Sequence, residues 1–61
     1  MNKLKELREK AKLSQKELAD LAGMHYRTIG RLEAGKHKAH GSVIKVLAIV
    51  LNVKPEELEL R

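Results

Sequence analysis

The stretch SQKELADLAGMHYRTIGRLEAG, residues 14–35, decides how this chain folds. Ser14 and Glu17 are spaced so that the serine hydroxyl accepts the Glu17 backbone N–H while the Glu17 carboxylate reaches back to Ser14. That capping box opens a helix over residues 15–22, and Leu13 against Leu18 supplies the hydrophobic staple around it. Gly23 stops the helix, because glycine enters the left-handed conformation without a Cβ clash. A second helix is expected over residues 26–34, stopped at Gly35 by the same chemistry. The stretch therefore reads as two short helices joined by a tight turn, the pattern of a helix-turn-helix.

Upstream, residues 2–12 read as a first helix with Leu4, Leu7 and Ala11 on one stripe and Lys3, Lys5, Glu6, Glu9, Lys10 and Lys12 elsewhere. Arg8, four residues after Leu4, falls on the apolar stripe. The next helix directs Leu18, Leu21 and Ala22 inward, with Ala19 small enough to let a neighbour approach. In the one after, Ile29 and Leu32 define the inner side, Met24 enters just before it, and Glu33 lies four residues beyond Ile29. Arg8 and Glu33 thus both stand where an apolar residue belongs. An unpaired buried charge costs several kcal/mol, whereas a paired one is tolerated. The spacing predicts an Arg8–Glu33 ion pair between the first and third helices.

The outer side of the third helix carries Arg27 and Arg31, with Gly30 between them and His25 and Tyr26 at its start. Glycine inside an exposed helix costs about 1 kcal/mol relative to alanine. Close approach of a ligand is one reason to accept that cost; plain tolerance is the other. Residues 36–41 form a basic loop, Lys36-His37-Lys38-Ala39-His40-Gly41. His37 and His40 have no third ligand at hand, so no metal site is expected there. A solvated or phosphate-contacting loop is.

Ser42 is placed to cap a fourth helix over residues 43–51, with Ile44, Leu47, Ala48 and Leu51 as its core stripe. Val46 and Ile49 project to the other side, where charges are usual. Three readings fit them: a partner surface, cover by the chain's ends, or an ordinary exposed pair. Pro55 suits the first position of a short fifth helix over residues 55–60, with Glu56 and Glu57 at its positive end. Leu58 is expected inside; Leu60 is not.

The totals restrict function further. Sixty-one residues make one domain, 1–61, with a modest core. No cysteine is present, which excludes disulfides and thiolate metal sites and fits a reducing compartment. The apolar run 43–53 is too short to span a bilayer and carries Lys45, and the start is charged from Lys3, unlike a signal peptide. A cytoplasmic setting without membrane association is expected. The net charge is +5, and between Asp20 and Glu56 the only acid is Glu33, against Arg27, Arg31, Lys36, Lys38, Lys45 and Lys54. Either one face is directed at a polyanion or the lysines keep a small domain soluble. No nucleophile–base set or phosphate-cradling glycine loop is present, so neither enzyme activity nor a cofactor is expected.

Leu13-Ser14-Gln15-x-Glu17-Leu18-Ala19, Ala22-Gly23, Thr28-Ile29, Arg31-Leu32-Glu33-x-Gly35-Lys36 and Leu51-x-Val53-x-Pro55-x-Glu57-Leu58 together resemble the Cro and lambda-repressor-like domains, the XRE-type helix-turn-helix family. The resemblance runs from the first helix to the fifth. It implies an all-α, compact five-helix DNA-binding domain whose third helix lies in the major groove, usually as a two-fold dimer. By position, Gln15 falls where the family contacts phosphate or a base. Tyr26, Arg27 and Arg31 fall where it reads base edges, with His25 and Thr28 beside them. Lys36, His37 and Lys38 occupy a loop that runs along phosphates. The family often joins its first and third helices by an arginine–glutamate pair, in agreement with the stripe argument for Arg8 and Glu33.

The chain also departs from the family pattern. The cap of the third helix is usually Ser or Thr and here is His25, which is expected to cap poorly. Lys54 stands where Ser is common, and Val46 and Ile49 where charges are common. The expected function is sequence-specific double-stranded DNA binding by a dimeric transcriptional regulator, with repression as the expected sense. No small-molecule ligand is expected, because no segment follows the last helix. The alternative is a protein-interaction module of the same fold, an antitoxin or adaptor, working through Val46 and Ile49. RNA binding suits a chain with a single aromatic, Tyr26, badly, since single-stranded recognition relies on stacking.

Overall fold

The capping box at Ser14 forms with both halves in place. Glu17 N–H donates to Ser14 Oγ at 3.0 Å, and Ser14 N–H donates to Glu17 Oε1 at 2.8 Å. In the computed structural model, which describes residues 2–60, this box opens helix α2, Gln15–Ala22. Gly23 ends it at φ +69°, and the Met24 N–H closes back on the Ala19 carbonyl at 2.8 Å. Helix α3 follows as Tyr26–Glu33. It stops one residue before the expected 34, with Gly35 at φ +73° and the Lys36 N–H on the Arg31 carbonyl.

Helix α1 is Leu4–Lys10, shorter at both ends than the expected 2–12. At its start Asn2 has left the helix to make two bonds. Its Nδ2 donates to the Leu32 carbonyl at 2.7 Å, and its Oδ1 accepts the Leu4 N–H at 3.2 Å. At its end Lys12 adopts φ +59°, which lets the Leu13 N–H reach the Arg8 carbonyl at 3.2 Å. The chain turns there because Leu13 must staple α2, and Ala11 is left exposed rather than on the core stripe.

Helix α4 is Gly41–Leu51 and begins before Ser42, so Ser42 is not its cap. His40 takes the extended cap conformation without a side-chain bond, and its carbonyl already accepts the Ile44 N–H at 3.0 Å. The fifth element is a 3-10 turn, Pro55–Leu58, and not a helix over 55–60. The described residues thus hold four α-helices instead of the expected five. Glu57 caps the turn by accepting the Lys54 N–H at 2.6 Å. Lysine has no acceptor to complete a reciprocal box. Glu59 at φ +53° breaks the turn and sends Leu60 back into the core.

The core is formed by Leu4, Leu18, Ala19, Ile29, Leu32, Leu47, Ala48, Leu51, Leu58 and Leu60. The Lys3 N–H bonds the Leu58 carbonyl at 2.9 Å, so the two ends of the chain close the bundle together. Leu21, expected inside, is 63% exposed. With 100° or so per residue, Ala22 lies about 40° to one side of Leu18 and Leu21 about 60° to the other. The buried face of α2 is centred on Leu18, Ala19 and Ala22, so Leu21 falls outside it. Among the described residues, no helix is long and apolar enough to cross a membrane.

Candidate nucleic-acid interface

Helix α3 has two faces, and its inner face fixes it to the bundle. Ile29 and Leu32 are buried, and Thr28 and Glu33 are partly buried beside them. Glu33 is the centre of a polar network below this face. Arg8 Nε donates to Glu33 Oε2 at 2.6 Å and Arg8 Nη2 stands 3.4 Å from Oε1. Arg8 Nη1 donates to the Leu13 carbonyl at 2.7 Å. Gln15 Nε2 completes the set by donating to Glu33 Oε1 at 3.0 Å. One carboxylate therefore joins α1, α2 and α3. The hydrogen bond to Glu33 holds the Arg8 guanidinium above its ordinary pKa, outweighing the opposite effect of burial; the charges of Glu33 and Glu9 act in the same upward direction.

Burying Glu33 has a second effect. It is the only acid between Asp20 and Glu56, and its side chain is 5% exposed. The outer surface of that whole stretch therefore presents cations and no carboxylate. Arg27, Arg31, Lys36, Lys38 and Lys45 are all exposed on it.

The predicted contact residues divide into two groups. Gln15, Tyr26, Arg27, Arg31 and Lys36 surround one shallow concavity together with Gly30 and Ala34. Gly30 forms part of its floor, and a Cβ built there would stand 3.7 Å from the Gln15 carboxamide, an ordinary contact. The helix pair α2–α3 therefore has room for alanine, and packing within the chain does not demand glycine at this position. Gln15 is held by Glu33 through its nitrogen. His37 and Lys38 do not join this concavity. They line a separate hollow with Lys36, Asn2, Ile44 and Pro55, opposite Glu56 and Glu59. Lys36 belongs to both.

His25 caps α3, contrary to expectation. Its Nδ1 accepts the Arg27 N–H at 3.1 Å, and its ring stacks on Tyr26 with centroids 4.6 Å apart. A neutral imidazole nitrogen is an acceptor, and the extended cap backbone, φ −79° and ψ 141°, brings it within reach. Val46 and Ile49 are 38% and 78% exposed, so among the described residues the end segments do not cover them. Among the described residues no three of His, Asp or Glu gather as a metal set. Asn2, which ties the N-terminus to the end of α3, was not anticipated from the sequence. A side chain just before a helix that bonds a residue thirty positions away leaves no local signal.

A family model for helix-turn-helix domains matches residues 4–58, nearly the whole chain. No curated protein matches the sequence. The chain belongs to the Cro and lambda-repressor-like, XRE-type helix-turn-helix family, a class of DNA-binding transcription regulators.

Proposed function

We propose that this domain, taken as residues 1–61, is a sequence-specific double-stranded DNA-binding regulator, a repressor acting as a homodimer with α3 in the major groove. The observation that carries this reading is the acid-free outer surface of α3, where Arg27 and Arg31 stand exposed one helical turn apart while Glu33 is turned inside. The major groove admits an α-helix, and an arginine bonds guanine O6 and N7 bidentately for about 1–3 kcal/mol of discrimination. Gln15 and Lys36 flank those arginines on one concavity, which supports assigning them to the adjoining phosphates. His37 and Lys38, from their separate hollow, add attraction that is independent of sequence and weakens with salt. Tyr26, Thr28 and His25 complete the contact surface.

One α3 covers only a few base pairs, so two copies on half-sites about 34 Å apart are expected. Selection of random duplexes on the purified chain, with binding repeated at two salt concentrations, tests the reading. A two-fold consensus bound less tightly at high salt is expected; no enrichment of any duplex would overturn it.

The second reading, a protein-interaction module of the antitoxin or adaptor kind, is favoured by the exposure of Ile49, Val46 and Leu21. Within the first reading, Val46 and Ile49 are the dimer surface. Sedimentation of the Val46→Lys, Ile49→Glu double variant is expected to give monomer where the parent gives dimer. An unchanged association state would remove that patch from the dimer.

A further inference from the structure

The histidine at the start of α3 makes a bond that restricts what it can offer a ligand. A backbone N–H only donates, so the ring nitrogen facing it must carry a lone pair. His25 Nδ1 is that nitrogen, 3.1 Å from the Arg27 N–H. A neutral imidazole has one proton, and with Nδ1 accepting, the proton resides on Nε2. Stacking on Tyr26 at 4.6 Å, with the planes 26° apart, further limits ring rotation. His25 is exposed, so Nε2–H is directed away from the cap at the end of the helix that carries Arg27.

We propose that capping locks His25 as its Nε2–H tautomer and makes it a donor-only contact on the duplex, selecting hydrogen-bond acceptors and rejecting donors. This rests on the DNA-binding reading above and deepens it. The acceptors available are a phosphate oxygen, guanine O6 or N7, adenine N7 and thymine O4. The exocyclic amino groups of cytosine and adenine are donors and cannot be bonded. A serine or threonine cap accepts and donates through one hydroxyl held close to the backbone, whereas the imidazole accepts at Nδ1 and carries its donor, Nε2–H, across the ring and farther from the helix. It fastens the first turn of α3 and holds a fixed donor beside Arg27.

The test has one arm without DNA and one with it. In the free protein, at a pH where the imidazoles are neutral, long-range proton–nitrogen correlation is expected to show the proton of His25 on Nε2 and none on Nδ1. His40, which caps α4 without a side-chain bond, is the internal reference and is expected to show tautomer averaging. Exchange of the Arg27 amide is expected to rise about five-fold in His25→Ala and little in His25→Ser, which retains a capping oxygen. A protonated Nδ1, or the same averaging as His40, would overturn the lock whatever the duplex result.

On the duplex selected by the parent, His25→Ser is expected to lose about five-fold in affinity, because the cap remains while the serine O–H is too short to reach the acceptor that Nε2–H bonds. If the acceptor is a base, the loss is confined to duplexes with that base and disappears at one substituted position. If it is a phosphate, every duplex weakens equally and a methylphosphonate at that phosphate abolishes the difference. Equal affinity of parent and His25→Ser would overturn the donor role while leaving the DNA-binding reading intact. Failure of the parent to bind any duplex would overturn both the reading and that role.

Discussion

Arg8 and the pair Arg27 and Arg31 use one functional group in two settings. Arg8 is 8% exposed and its guanidinium donates to a carboxylate and a carbonyl inside the bundle. Arg27 and Arg31 are exposed, and among the described residues neither has an ion-pair partner. The difference follows from position. A guanidinium on an apolar stripe must be fully satisfied or the domain does not close, whereas one on the outer side is held open by water and remains available to a ligand. Glu33 connects the two settings, since by neutralising Arg8 it also leaves the outer surface without an acid.

The largest effect is expected from breaking the inner pair. Arg8→Ala or Glu33→Ala alone leaves a buried charge without its partner and should cost about 3–5 kcal/mol. A 61-residue domain has little stability to spare, so urea unfolding should show either variant largely unfolded. The apolar double variant Arg8→Met, Glu33→Leu should recover much of the loss, because replacing both partners removes the desolvation cost as well. Single variants within 1 kcal/mol of the parent would mean that the pair does not hold α1 to α3.

Gly30 sharpens the comparison from the outer side. A Cβ there meets only the Gln15 carboxamide at 3.7 Å, so Gly30→Ala should stabilise the helix by about 1 kcal/mol. In a domain of this size that is a rise in Tm of about 4–8 °C. If the glycine is kept for close approach of a duplex, affinity should fall in the same variant. A higher Tm with unchanged affinity would show that the glycine is merely tolerated.

A smaller effect concerns the cap that starts the motif. The backbone hydrogen bond at Ser14, followed by the one with its hydroxyl, lowers the Glu17 pKa. A group whose value is lowered on folding contributes fully above its unfolded value and loses that contribution as pH falls through the folded one. Acid should therefore destabilise the parent across the lower carboxylate range, below about pH 4.3. Glu17→Gln, which can still reach the Ser14 N–H, should lack that part of the acid dependence. Equal pH profiles for the two would contradict the assignment.

The central motif was legible because its signals are local. The Ser14–Glu17 spacing, the glycines at 23 and 35 and the inward Ile29 and Leu32 each act within a turn or two. The Arg8–Glu33 contact was legible for another reason: two opposite charges on apolar stripes have few tolerable arrangements. What could not be read depends on how elements meet. Leu21 is apolar and near the stripe, yet the facing helices cover Leu18, Ala19 and Ala22 instead. Helix α4 starts at Gly41, two residues before the expected 43, because the backbone of His40 has already turned into the cap conformation. The tail is a 3-10 turn over Pro55–Leu58, after which Glu59 reverses the chain so that Leu60, only two residues beyond Leu58, also reaches the core. Residue type alone makes His25 a weak cap, whereas its Nδ1 supplies the acceptor that a hydroxyl would.

The account depends most on α3 reading bases through its outer arginines. Its most direct test is base preference of Arg31→Ala on single-position variants of the selected duplex, beside Lys38→Ala as a control. The account predicts that Arg31→Ala folds like the parent but loses about 1–3 kcal/mol of discrimination at one base pair. Lys38→Ala should weaken all duplexes alike. Retention of full base preference by Arg31→Ala would contradict it.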